Sequence, residues 1–162
     1  MALDMFMKVA GVEGESVDKK LAKQIDILAW SWGMSQSGTT HTGGGGGAGK
    51  ANFQDLSFTK YLDSSSNALM NALAKGTHIP AVTLLARKAG EGQNKYISIL
   101  MEEVIVSSLS TGGSGGEDRL TENVTLNFGK VTFGYTPQDS KGTVAGDKTF
   151  SWNIAENHGE VK

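Results

Sequence analysis

The stretch Leu120-Thr121-Glu122-Asn123-Val124-Thr125-Leu126-Asn127-Phe128 decides the fold class. Leu120, Val124, Leu126 and Phe128 alternate with Thr121, Asn123, Thr125 and Asn127. That is the period of a strand with one apolar and one polar face. The polar set offers hydroxyls and amides and carries no charge.

The same period recurs on both sides of this stretch. Upstream, Asp4 to Val9 is a short candidate strand, and Ile25 and Ile27 lead into Trp30, Trp32 and Met34. Ala29, Ser31, Gly33 and Ser35 take the opposite face of that segment. Leu56 and Phe58 alternate with Ser57 and Thr59, Val82 to Arg87 is apolar, and Tyr96 to Val106 is long and rich in isoleucine and valine. Downstream, Phe150, Trp152 and Ile154 close the pattern. Trp30, Trp32 and Trp152 are expected to anchor the core, since an indole buries more apolar area than any other side chain.

One segment breaks the rhythm. Asp63-Ser64-Ser65-Ser66 supplies capping oxygens, Leu69, Met70 and Leu73 fall on one helical stripe, and Gly76 is a stop. One short helix, docked through those three apolar residues, is expected. Seven or so strands without βαβ alternation predict a mainly β domain, two-sheet and barrel- or sandwich-like, with long glycine-rich loops.

Composition narrows the function classes. A chain of 162 residues suits one domain, taken as residues 1–162. There is no cysteine, which excludes disulfides, thiolate metal sites and a cysteine nucleophile, and suits a reducing cytoplasm. A formal net charge of -2 gives no attraction to nucleic acid or to an anionic membrane. No apolar run approaches a membrane span, and Asp4 stands where a signal peptide would be basic. Export without a cleaved signal is the expectation for a protein that leaves the cell.

Glycine is the anomaly, at 22 residues about twice the usual share. It concentrates in Gly43-Gly44-Gly45-Gly46-Gly47-Ala48-Gly49 and in Gly112-Gly113-Ser114-Gly115-Gly116. Both clusters imitate catalytic motifs. Gly44 to Ala51 resembles a phosphate-binding loop, but Ala51 stands where magnesium needs a hydroxyl, and strand-like sequence follows instead of a helix. The second cluster fits G-x-S-x-G with Ser114 as nucleophile, yet Glu117 to Glu122 leads into a strand where that motif requires a helix. His41, His78 and His158 are scattered, so zinc has no sequence support, and no cofactor is expected. Glu102 and Glu103 are adjacent on a strand; one is expected to be solvated and the other ion-paired.

With these segments in view, the chain resembles the Hcp family of bacterial type VI secretion. The resemblance rests on Ile27-Leu28-Ala29-Trp30-Ser31-Trp32-Gly33-Met34-Ser35-Gln36, the glycine loop through Lys50, and Leu56 to Lys60. It continues through Val106-Ser107-Ser108, the second glycine cluster, Glu117 to Phe128, and Trp152-Asn153-Ile154. It implies a barrel-like fold of two sheets with one helix. It also implies a hexameric ring that stacks on other rings into a tube, working with sheath and spike proteins. The tube is expelled from the cytoplasm and carries or chaperones effectors in its pore, without enzymatic activity. A phage tail-tube subunit is the rival structural reading, and a hydrolase using Ser114 the rival of another class.

Two sets of site residues follow. The small faces Ala29, Ser31, Gly33, Ser35 and, as rival, Thr121, Asn123, Thr125 are the candidates for a cargo-holding pore lining, because an uncharged face selects no sign of cargo. Gly43, Gly44, Gly45, Gly46, Gly47, Gly49 and Lys50, and Gly113, Ser114, Glu117, Asp118 and Arg119, are the candidates for loops that contact neighbouring subunits.

Overall fold

A computed structural model describes residues 2–38, 49–89, 94–138 and 146–162. Its strands are β1 (Leu3–Val9), β2 (Ile25–Ser31), β3 (Met34–Ser35), β4 (Asn52–Phe53), β5 (Leu56–Tyr61), β6 (Ile79–Lys88), β7 (Lys95–Thr111), β8 (Thr121–Tyr135), β9 (Lys148–Asn153) and β10 (His158–Val161). The helix α1 (Ser65–Lys75) joins β5 to β6.

Six strands close an antiparallel barrel in the order β8-β5-β2-β1-β6-β7 and back to β8. β8 is long enough to take two partners along one edge. Its first half, from Thr121 to Leu126, pairs with β5, and its second half, from Lys130 to Tyr135, pairs with β9, which carries β10 beyond it. The change of partner falls where the β7–β8 ladder is interrupted. Glu103 and Gly129 face each other there, between the pairs Glu102–Lys130 and Val104–Phe128. Glu103 adopts φ +54°, rare for a residue with a side chain. A Cβ on residue 129 would meet the Glu103 carboxylate at 2.5 Å, so glycine permits the close approach.

The barrel interior is filled by the expected alternation. Leu56 and Phe58 of β5, Val124 and Leu126 of β8, Val82 and Leu84 of β6, and Ile99 and Met101 of β7 are buried. In β2 the parity changes midway. Ile25 and Ile27 point inward, the register slips between Ile27 and Ala29, and Trp30 then faces the core while Leu28 and Ala29 are exposed. A bulge of one residue is what allows apolar residues at odd positions to hand over to even ones.

Three expectations need correction. The tryptophans do not occupy the centre of the core; Trp30, Trp32 and Trp152 are half-buried and pack against its fully buried residues. Trp32 stacks on Phe53 and Phe133, and Phe53 on Trp152, with ring centroids 6.3–6.4 Å apart. This aromatic stack ties the small β3–β4 sheet to the β8–β9 wing. Met34 lies on β3 and is 48% exposed, because the chain leaves the barrel after Ser31. In α1 the buried stripe is Ser65, Ser66, Leu69 and Ala72; Leu73 is exposed and Met70 half-buried. Ser64 is the N-cap and makes no side-chain capping bond; Asp63, just before it, accepts the Ser65 amide at 2.9 Å, and Gly76 ends the helix in the left-handed region at φ 61°.

Candidate functional site

The outward positions of β2, β5, β8 and β7 meet in register. Ala29, Thr59, Asn123 and Ser110 form one row across the four strands, and Ser31, Ser57, Thr125 and Ser108 form the next. Alternation on each strand sends its small polar residues out because the apolar ones are drawn in. The two rival faces read from the sequence are therefore one surface. Thr121, opposite Tyr61, extends it toward the barrel end. Gly33 and Ser35 do not belong to it. Gly33 follows β2 and accepts the Gln54 amide at 3.0 Å, and Ser35 pairs with Asn52 in the small sheet.

No ionised side chain stands in either row. Four of its polar side chains, Thr59, Asn123, Ser108 and Thr125, bond sideways. Thr59 donates its hydroxyl to Asn123 Oδ1 at 2.6 Å, and Thr125 Oγ1 lies 2.6 Å from Ser108 Oγ and 2.7 Å from Ser107 Oγ. Asp55 borders the face, and both of its oxygens are engaged, by Ser107 at 2.7 Å and Asn127 at 2.8 Å. A neutral surface with many of its polar groups already paired offers any visitor weak, unselective contacts.

Behind this face lies a buried ionic cluster that sequence reading passed over. Lys60 and Glu122 sit opposite each other on β5 and β8 and point inward, both fully buried. Lys60 Nζ reaches Glu122 Oε1 at 2.5 Å, Asp63 Oδ1 at 2.9 Å, Ser66 Oγ at 3.1 Å and the Tyr61 carbonyl at 3.0 Å. Ser66 in turn donates to Glu122 at 2.6 Å. The cluster ties the β5–β8 pair to the first turn of α1. Nearby, Asp26 is held above the ordinary carboxylate range, first by partial burial and then by the Asp63 carboxylate.

The loop candidates divide. Gly43 to Gly47 lie outside the described residues. Gly49 and Lys50 are described and exposed, and Lys50 runs into β4, a strand and not the helix a phosphate loop needs. Gly113, Ser114, Glu117, Asp118 and Arg119 are all exposed between β7 and β8. Ser114 accepts the Glu117 amide on its carbonyl at 3.1 Å, within a turn linking two strands. Arg119 lies over the Tyr61 ring at 3.9 Å, and the Leu120 carbonyl accepts the Leu62 amide, which pins the end of this loop to the barrel. Glu102 pairs with Lys130 at 3.5 Å while Glu103 is exposed.

Among the described residues no helix is long and apolar enough to cross a membrane. Comparison with known proteins gives a consistent result. The family described as type VI secretion system effector, Hcp, matches residues 6–135. Protein hcp1 of Pseudomonas aeruginosa is 60% identical over 159 residues, covering 97% of this chain and 98% of that protein. A solved type six secretion system protein superposes with a TM-score of 0.92 at 31% identity, over 98% of this chain and all of that one. Hcp1 of Salmonella typhimurium superposes at 0.82 with 34% identity, over 99% of this chain and all of that one.

Proposed function

The chain belongs to the Hcp family of the type VI secretion system, a family of structural tube proteins and not of enzymes, and from that premise we propose that it is the ring-forming subunit of the secretion tube. Residues 1–162 act as one tube domain. Six copies close a ring, rings stack, and the stack is expelled from the bacterial cytoplasm without a cleaved signal. Sheath and spike proteins of the machine are its partners, and secreted effectors occupy the pore.

One observation supports the pore most directly: the two uncharged rows from Ala29 to Ser110 and from Ser31 to Ser108. We assign this face to the lumen. A wall that must hold unrelated cargo and release it cannot carry a fixed charge, because a charge would retain one sign and repel the other. Neutral hydroxyls and amides satisfy that requirement. The loops from Gly43 to Lys50 and from Gly113 to Arg119 are assigned to contacts between subunits or rings; of these, Gly49, Lys50 and the Gly113–Arg119 segment are exposed.

The test is the mass of the purified protein in solution with electron microscopy of the same sample. Six-fold rings with a hollow centre are expected. A monomer at high micromolar concentration overturns the proposal.

A further inference from the structure

The connection between β1 and β2 folds back over the barrel as a strap. Gly14 donates its amide to Lys23 at 2.7 Å, Ser16 donates to Gln24 at 3.0 Å, and Lys23 returns a bond to Ser16 at 2.8 Å. Asp18 binds the buried Arg87 and also accepts the Lys20 amide at 2.9 Å, while Glu15 accepts the Ser64 amide at 2.7 Å. At the crest of this rigid strap stands Val17, 97% exposed. The two acids that flank it are committed within the subunit, and the cations beside it, Lys19 and Lys20, are exposed and make no salt bridge among the described residues.

Elsewhere on the subunit, a groove of about 710 Å³ opens where Glu103 of β7 stands opposite Gly129 of β8. Its walls are Ile79, Pro80, Ile105 and Phe128, with His78 and Glu103 at the mouth. Glu103 is exposed, is held there in the left-handed conformation, and makes no salt bridge among the described residues. Backbone strain that places a free carboxylate over an apolar groove points to a ligand with an apolar part and a positive charge.

We infer that the groove receives the strap of a second copy of this chain, with Val17 in the apolar floor and Lys19 or Lys20 against Glu103. The strap is already ordered by its own hydrogen bonds, so docking it costs little conformational freedom. Strap and groove are separate patches, so the contact is head-to-tail and propagates from copy to copy, as a closing ring requires. The inference rests on the ring-forming reading and names the contact that would build it.

The chain has no native cysteine, which makes cross-linking clean. Val17→Cys/His78→Cys, treated with a short bismaleimide, should give a ladder of covalent oligomers, whereas Val17→Cys/Lys148→Cys should give none. Val17→Glu and Glu103→Lys should each weaken assembly at least tenfold by light scattering with the circular dichroism unchanged. Lys19→Glu/Lys20→Glu added to Glu103→Lys should recover it. If the unmodified protein is a monomer, the ring reading fails and this contact with it. If the parent forms rings, Val17→Glu forms them equally well and no ladder appears, the contact is wrong and the ring reading stands.

Discussion

Lys60 and Glu122 face each other across β5 and β8 with Nζ and Oε1 2.5 Å apart, and neither side chain reaches solvent. On the far side of the same two strands, one residue along, Thr59 bonds to Asn123. The two pairs report on each other, because a slip of one residue would carry the charges out and the hydroxyls in. Lys60→Met should cost about 3–5 kcal/mol in urea denaturation, since it leaves a carboxylate buried without its cation. Lys60→Met/Glu122→Leu should recover most of that loss. A single variant as stable as the parent would show that the pair has no part in holding the barrel.

The uncharged face is tested by placing a charge on it. Ser31→Arg or Thr125→Arg should leave the ring intact and reduce co-purification of effectors, read by pull-down from the secreting strain. The same change at Ala155, exposed between β9 and β10, should leave cargo unaffected. Normal cargo retention in both arginine variants would remove this face from the lumen.

Gly14 is enclosed by backbone. A Cβ there would lie 2.5 Å from the Gln24 carbonyl oxygen and 2.8 Å from Ile25 Cα. Gly14→Ala should cost roughly 1–3 kcal/mol, the range for overpacking a rigid site. Gly112→Ala, with nothing within 4 Å of the new methyl, should be close to neutral. Thermal melts of the two variants side by side give the comparison.

Acid should loosen the strap. The Arg87 guanidinium holds the Asp18 carboxyl below its ordinary range, and Lys95 does the same for Asp147. A lowered folded-state value contributes stability that is full above the ordinary value of 3.8 and is lost as pH falls through the folded value. Asp26 has the opposite sign: its raised value makes the ionised carboxylate unfavourable at neutral pH, and protonation restores stability. Asp18→Asn should therefore flatten the acid side of the stability profile, and Asp26→Asn should raise stability near pH 7. Denaturant midpoints measured from pH 3 to pH 7 check both signs.

Phe53 sits between Trp32 and Trp152, with centroids 6.4 and 6.3 Å away. Phe53→Ala should destabilise the fold by about 2 kcal/mol, less than a fully buried phenylalanine because the site is half-exposed. Tryptophan emission should shift to the red as both indoles gain water. An unchanged spectrum would mean that the stack does not persist in solution.

Much of this fold was legible in residue order. Period-two alternation located β1, β5, β6, β7, β8 and β9, because burial on one side of a sheet is written directly into alternate positions. Gly76 marked the helix end through its backbone freedom. What alternation misses is anything that interrupts it. The bulge at Leu28 switched the inward parity within β2, the chain's exit from the barrel after Ser31 left Met34 exposed, and β10 is too short and polar to show a period. The ionic cluster had a signal that went unread: Lys60 continues the inward series Leu56, Phe58, and Glu122 precedes the inward Val124 and Leu126. Two opposite charges at interior positions are themselves a pairing prediction. The candidate pore face was legible as two separate sets of residues, and only the registers across β5 made them one surface.

β8 is bonded to β7 along one edge and to both β5 and β9 along the other. A strand held in this way cannot be unzipped from an end, one rung at a time. Force applied along it loads many backbone bonds together, in shear. In the proposed tube, that arrangement would make each subunit resist as a solid body, so that a contracting stroke moves the tube and does not stretch the chains within it.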